Sequence, residues 1–192
     1  IESCAPSAPS PSPSDLECID IPTVSDELEP LINGTVEQDE WNNATSLELF
    51  PSGNAGSSVL GYASVLVSCA EPPVFYVWVS LSDQNSSIGD LNQAGQHYVT
   101  LDGNVQVDSS SSANDFFFVT DENGLTVGWE ATFTPDFPVD RTVMYKMKIH
   151  TEASATDSSE PVVITTEGEF VKVCIESCAP SAPSPSPSDL EC

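Results

Sequence analysis

Six cysteines, Cys4, Cys18, Cys69, Cys174, Cys178 and Cys192, are the side chains best suited to covalent chemistry. None is spaced as Cys-x-x-Cys and only His97 and His150 accompany them, so a zinc site is disfavoured and oxidation to disulfides is the chemistry they favour. Cys178 and Cys192 are copies of Cys4 and Cys18, because Ile1 to Cys18 returns letter for letter as Ile175 to Cys192. Each repeat then owns four cysteines, which allow three pairings. Disulfides place the chain in an oxidising compartment, secreted or at a cell surface. Three sequons agree: Asn33-Gly-Thr35, Asn43-Ala-Thr45 and Asn85-Ser-Ser87 make Asn33, Asn43 and Asn85 acceptors for N-glycans.

Carboxylate pairs such as Asp26-Glu27, Asp39-Glu40 and Asp121-Glu122 are of the type that serves glycosidases and calcium sites. General acid and base work needs a carboxyl with a raised pKa in a pocket. With 30 Asp and Glu against 4 Lys and Arg, these pairs read better as a solvated acidic face. No EF-hand loop or RTX run is present, and calcium stays open only at adventitious clusters. There is no Gly-x-Ser-x-Gly elbow or glycine-rich phosphate loop, and His97 and His150 both fall on predicted strands as edge or surface residues. No catalytic residue and no cofactor is assigned, and the chain is expected not to be an enzyme. Of the tryptophans, Trp78 and Trp129 lie in predicted strands and read as core, which leaves Trp41, in a polar loop, as the contact candidate.

The repeated segment sets the organisation. Its offset of 174 residues reads as the period of a tandem array, so the chain holds a junction at 1–18, a folded unit at 19–174 and the next junction at 175–192. A duplicated tag is the competing reading; against it, the segment carries two cysteines and follows Lys172-Val-Cys174 without a seam. Pro6, Pro9, Pro11 and Pro13, like Pro180, Pro183, Pro185 and Pro187, alternate with Ser and Ala, which favours a semi-rigid polyproline II spacer over a disordered linker. This alternation resembles the hydroxyproline-rich and arabinogalactan-type glycoproteins of algal and plant surfaces. The resemblance implies that those eight prolines are hydroxylated and O-glycosylated.

A net charge of −26 repels nucleic acid and anionic membrane, and 39% hydrophobic residues are enough for a core. No apolar run approaches the roughly 20 residues of a membrane helix, so membrane insertion is not expected. The chain opens with neither Met nor a signal peptide and is expected to be a piece of a longer precursor.

The elements that must position these residues are strands. Short runs at Cys18–Pro22, Ser46–Phe50, Ser58–Cys69, Val74–Val79, His97–Leu101, Asn104–Val107, Phe116–Val119, Leu125–Phe133, Arg141–Thr151, Pro161–Thr165 and Glu169–Val173 are β-branched, aromatic or alternating. The acidic excursion from Asp26 to Asn43 and the polar stretch from Asp83 to Gln96 read as loops. Val74–Val79 is continuously apolar, as a central strand buried on both faces would be. Asn123-Gly124 signals a hairpin turn, and Arg141, Lys146 and Lys148 put three of the four basic residues on one strand. The fold expected is all-β, a single Ig-like or CUB-like sandwich of about nine strands.

Phe116-Phe-Phe-Val-Thr-Asp121 and Gly128-Trp-Glu-Ala-Thr-Phe133 resemble the closing hairpin of CUB domains, extracellular sandwiches that bind proteins, often with calcium. That resemblance supports the sandwich and implies Asp121 as a possible calcium ligand, with Asp115 and Glu122 beside it in sequence. The family's usual cysteine pairs are missing, and the chain runs forty residues past where such a domain should end.

Two functions follow. The first is the structural subunit of a secreted, glycosylated fibre or surface appendage whose partners are further copies of itself. The alternative is a repeated extracellular adhesion module that binds carbohydrate or protein. Geometry constrains the cysteines in either case. Ten extended residues from Ala5 to Ser14 travel roughly 31 Å at about 3.1 Å each, while a disulfide needs its Cα atoms within about 7 Å. An extended spacer therefore forbids a bond between Cys4 and Cys18, and the favoured arrangement ties Cys18 and Cys178 into the sandwich through Cys69 and Cys174. A closed Cys4–Cys18 loop with Cys69 bonded to Cys174 is the competitor.

Overall fold

The computed structural model describes residues 18–37, 39–52, 58–82, 88–111, 115–155, 160–168 and 170–178. The spacer prolines, Asn85, Cys4 and Cys192 lie outside them. Thirteen strands occur among the described residues: β1 (Ile19–Ile21), β2 (Thr23–Val24), β3 (Thr45–Pro51), β4 (Gly61–Ser68), β5 (Phe75–Leu81), β6 (Ile88–Leu91), β7 (Tyr98–Leu101), β8 (Asn104–Asp108), β9 (Phe116–Thr120), β10 (Thr126–Phe133), β11 (Met144–Ala155), β12 (Val162–Thr166) and β13 (Val171–Ile175). The single helical element there is the 3-10 turn Asp26–Leu28. The all-β sandwich expected from alternation is the observed fold, with more strands than expected. Two were not legible: β2 has two residues, and β6 lies in a polar stretch where Ile88 and Leu91 are the only large apolar residues.

One layer is ordered β3-β4-β5-β10-β9. The other is built on β11, flanked on one side by β13 and then β12, and on the other by β7 and then β6. Antiparallel pairing of β12 with β3, Ile164 opposite Pro51, joins the layers along one edge. Beginning with Met144, the side chains of β11 alternate, so Tyr145, Met147, Ile149, Thr151 and Ala153 all point inward. They meet Leu47 and Leu49 of β3, Ala63, Val65 and Val67 of β4, Phe75, Val77 and Val79 of β5, and Trp129 and Phe133 of β10 in one buried core. Phe75 and Phe133 stack with ring centroids 5.0 Å apart. The expected hairpin forms between β9 and β10, with Gly124 at φ 81°, where glycine carries no Cβ penalty.

Three polar side chains inside this core, His97, Thr151 and Trp129, are matched to one another. His97, expected at an edge or surface, is fully buried. Its Nδ1 lies 2.7 Å from the Thr151 hydroxyl, its Nε2 lies 2.8 Å from the Asn92 carbonyl, and the Trp129 indole N–H donates to the same hydroxyl at 3.1 Å. With a neutral ring, one proton arrangement satisfies all of these contacts: Trp129 donates to Thr151, Thr151 donates to Nδ1, and Nε2–H donates to Asn92. That arrangement requires a neutral imidazole, and burial indeed lowers the His97 pKa. Arg141, expected on the basic strand, instead precedes β11 and donates to the carbonyls of Ser68 (2.9 Å) and Glu176 (3.0 Å).

Cys18 bonds Cys174 and Cys69 bonds Cys178, with Cα separations of 5.8 and 5.7 Å. Each bond joins a residue at the margin of the folded unit to one inside it, and Cys18 and Cys69 are both spent, so neither is left for the competing loop arrangement. The first segment, β1, lies parallel to the last, β13, with Ile19 opposite Val173 and Ile21 opposite Ile175.

Candidate functional site

Alternation that sends half of each strand into the core sends the other half outward, and in the β3-β4-β5-β10-β9 layer those outward residues fall into cross-strand rows. One row runs Ser46, Ser64, Trp78, Glu130, Phe117; the next runs Glu48, Tyr62, Ser80, Gly128, Val119. The excursion after β2 lies across part of this face. Ile32, Val36, Trp41 and Ala44 pack there with Val24, Leu66, Tyr76 and Trp78 in a second apolar cluster. This cover explains why Val65 to Ser68 are all buried although a strand alternates.

Trp41, expected as the contact residue, is only 8% exposed because it forms the underside of the excursion. Its ring lies 6.1 Å from that of Trp78, at 38°. Trp78, expected in the core, sits instead at the border of the cover and is half-buried. Beyond it, diagonally across the ladder, Tyr62 is 41% exposed. Ser64 and Ser80 are half-buried and Ser46 and Glu48 exposed. The uncovered half of the face is therefore an aromatic strip, Tyr62 and Trp78, bordered by hydroxyls and one carboxylate. Gly128 keeps it flat: a Cβ there would collide with the Val79 carbonyl and press on the Trp78 indole nitrogen at 3.3 Å.

Glu130, directly opposite Trp78, has no solvent exposure. One carboxyl oxygen, Oε2, accepts the backbone N–H groups of Gly34 (2.9 Å) and Asn33 (3.3 Å); Oε1 has no hydrogen-bond partner among the described residues, and neither do the indole nitrogens of Trp41 and Trp78. Burial pushes the Glu130 pKa up, and the two N–H groups pull it back by less. The excursion is thus docked by a carboxyl under its turn. Gly34 takes φ 81° there, and a Cβ at that position would lie 3.1 Å from the Phe118 carbonyl. Glu40 holds the excursion together by accepting from the N–H groups of Leu31 and Glu37.

Asn33 and Asn43 are both exposed on this excursion. The Asn33 side-chain oxygen accepts the Thr35 N–H at 2.8 Å, an Asx turn, and the Thr45 hydroxyl donates to the Asp20 carbonyl at 2.6 Å. The calcium candidates are not brought together. Asp115 and Asp121 lie at opposite ends of β9, about 20 Å apart at the rise of a strand. Asp121 accepts the N–H groups of Leu125 and Asn123, so it caps its own turn, and those bonds, Leu125 first, lower its pKa; Glu122 is exposed beside it. Asp115 is the sole carboxylate among the described residues lining a cleft of about 420 Å³ with Gln106, Ser111 and Thr132, whereas calcium takes six to eight oxygens. His150 stacks on Tyr98 at 4.5 Å on the outer face of the other layer, with Glu152 3.7 Å from its Nε2.

No family model matches the chain, and no curated protein does. Among solved structures, a carbohydrate binding module of family 9 from Caldicellulosiruptor kristjanssonii, in complex with cellotriose, superposes on it with a TM-score of 0.56. The alignment covers 88% of this chain and 99% of that one at 14% identity. A family 9 module from the same organism in complex with glucose gives a TM-score of 0.52 over 86% and 100% of the two chains, at 13% identity. At such identity the likeness is one of fold, and it spans nearly the whole of each module.

Proposed function

We propose that this chain is a non-catalytic extracellular module that binds carbohydrate on the open half of the β3-β4-β5-β10-β9 face. The observation that carries the reading is the strip of Tyr62 and Trp78, flat over Gly128 and edged by Ser46, Ser64, Ser80 and Glu48. Sugar rings present C–H faces that pack on aromatic rings and hydroxyls that exchange hydrogen bonds with short polar side chains. The net charge of −26 and Glu48 favour neutral sugars over sulfated or uronic ones. The likeness in fold to modules solved with cellotriose and glucose supports the same reading. Two disulfides and the sequons at Asn33, Asn43 and Asn85 fit a secreted or cell-surface glycoprotein.

Titration calorimetry with neutral oligosaccharides, and retardation in gels containing neutral polysaccharides, test it. The expected result is binding by the native chain, and loss of at least tenfold in affinity for Tyr62→Ala and Trp78→Ala with the fold retained. Absence of binding across a panel of neutral glycans, or equal binding by both variants, would overturn it. The exact 18-residue repeat favours a second role alongside, as a subunit of a tandem fibre or surface appendage built on Pro/Ser spacers with hydroxylated, glycosylated prolines. Micrographs of the native material showing evenly spaced units test that role.

A further inference from the structure

The places where the chain joins and leaves the folded unit lie side by side. Cys18 precedes β1, β1 runs parallel to β13, and Cys18 is bonded to Cys174 inside β13. The chain then needs four residues to reach Cys178, itself bonded to Cys69. Noncovalent bonds brace this corner: the Glu176 N–H donates to the Ile21 carbonyl at 3.0 Å, the Cys69 N–H to the Val24 carbonyl at 3.1 Å, and Arg141 bridges Ser68 and Glu176.

We propose that the unit is shielded from tension, its two disulfides forming a covalent bypass through which force along the chain passes without loading the sandwich. Between Cys18 and Cys178 the shortest covalent path is the Cys18–Cys174 bridge followed by residues 174–178. A taut path of four residues at about 3.6 Å each, plus the bridge, caps the separation at about 20 Å. Residues 19–173 belong to a side loop that carries no load, so each unit hangs from the line of tension and keeps both layers folded. The sequence continues on both sides into identical Pro/Ser segments, which transmit force to this corner and nowhere else in the unit. This inference does not depend on what the outer face binds.

The second bridge gives the bypass a distinct backup length. Without Cys18–Cys174, the path runs from Cys18 to Cys69 and across to Cys178, 51 residues or about 180 Å. Without either bridge it is 160 residues, about 580 Å.

The test is to pull the 192-residue chain by its termini in optical tweezers. The oxidised chain is expected to show no lengthening step above about 20 Å at full extension of the bridged path. The same tethered molecule, after a phosphine reductant is added, is expected to give a step of about 580 Å. Cys18→Ser/Cys174→Ser is expected to give about 180 Å, the backup length. Either of the two longer steps in the oxidised chain would overturn the proposal. So would a reduced chain that resists as the oxidised one does, or a double variant that releases the full unbridged length. The reductant arm needs no variant to fold.

Discussion

Thr151→Val probes the buried network on which the two layers are registered. The substitution keeps the side-chain shape and the β-branch but removes the hydroxyl that accepts from Trp129 and donates to His97. All three residues have no solvent exposure, so neither the indole N–H nor Nδ1 can turn to water. Each orphaned group costs about 1–3 kcal/mol, and the pair is expected to lower unfolding stability by about 3 kcal/mol. Urea titrations followed by tryptophan fluorescence measure this from the midpoint at constant slope. His97→Phe supplies the second corner of a double-mutant cycle: once the hydroxyl is gone the imidazole has lost its partner, so the double variant should cost at least about 1 kcal/mol less than the sum of the singles. The pH dependence adds a sign. Burial lowers the His97 pKa below 6.5, so below pH 6.5 the unfolded chain takes a proton that the folded one refuses, and stability falls as pH falls. His150 shifts the same way, so His97→Phe should remove part of that slope. A Thr151→Val chain within about 0.5 kcal/mol of the native one, the range of an ordinary surface substitution, would refute the network, as would strictly additive singles.

Glu130→Gln should raise stability at pH 7 and not at pH 4, because burial raises the Glu130 pKa and the folded chain holds its proton where the unfolded chain has lost it; the amide oxygen still accepts from Asn33 and Gly34. Urea midpoints at the two pH values, differing by the same amount from native, would contradict this. Gly128→Ala should cost about 1–3 kcal/mol by overpacking against Val79, and should weaken sugar binding by displacing Trp78; thermal unfolding and calorimetry read the two effects. Cys18→Ser/Cys174→Ser should lower stability by about 4 kcal/mol, since with Cys69–Cys178 intact the loop that the bridge closes is about 55 residues, not the full separation of 156. Denaturation under non-reducing conditions measures it, and a loss under about 1 kcal/mol would show that the bridge does not constrain the unfolded chain.

The sequence by itself determined the class of the fold and the chemistry of its margins. Period-2 alternation in Tyr145, Met147 and Ile149, the Asn123-Gly124 turn and the unbroken run from Val74 to Val79 are local facts, and a strand's two faces follow from them without any knowledge of its neighbours. The length of the spacer and the reach of a disulfide likewise disfavoured a bond from Cys4 to Cys18, leaving Cys18 and Cys178 to find partners in the unit. Tertiary structure decided which outward face is covered. Trp41 and Trp78 exchanged the roles their surroundings in sequence suggested, because the polar excursion folds Ile32, Val36 and Trp41 under itself and onto β4 and β5 while leaving Leu28 and Leu31 exposed. Glu130 carried no signal, since a lone acid on the outward side of a strand is ordinarily solvated; it is buried only because Asn33 and Gly34, almost a hundred residues earlier, bring their N–H groups to it. His97 is the same case in the core, where three groups far apart in the chain satisfy one another. Local pattern fixes which way a side chain points, while its exposure depends on what the rest of the chain lays over it.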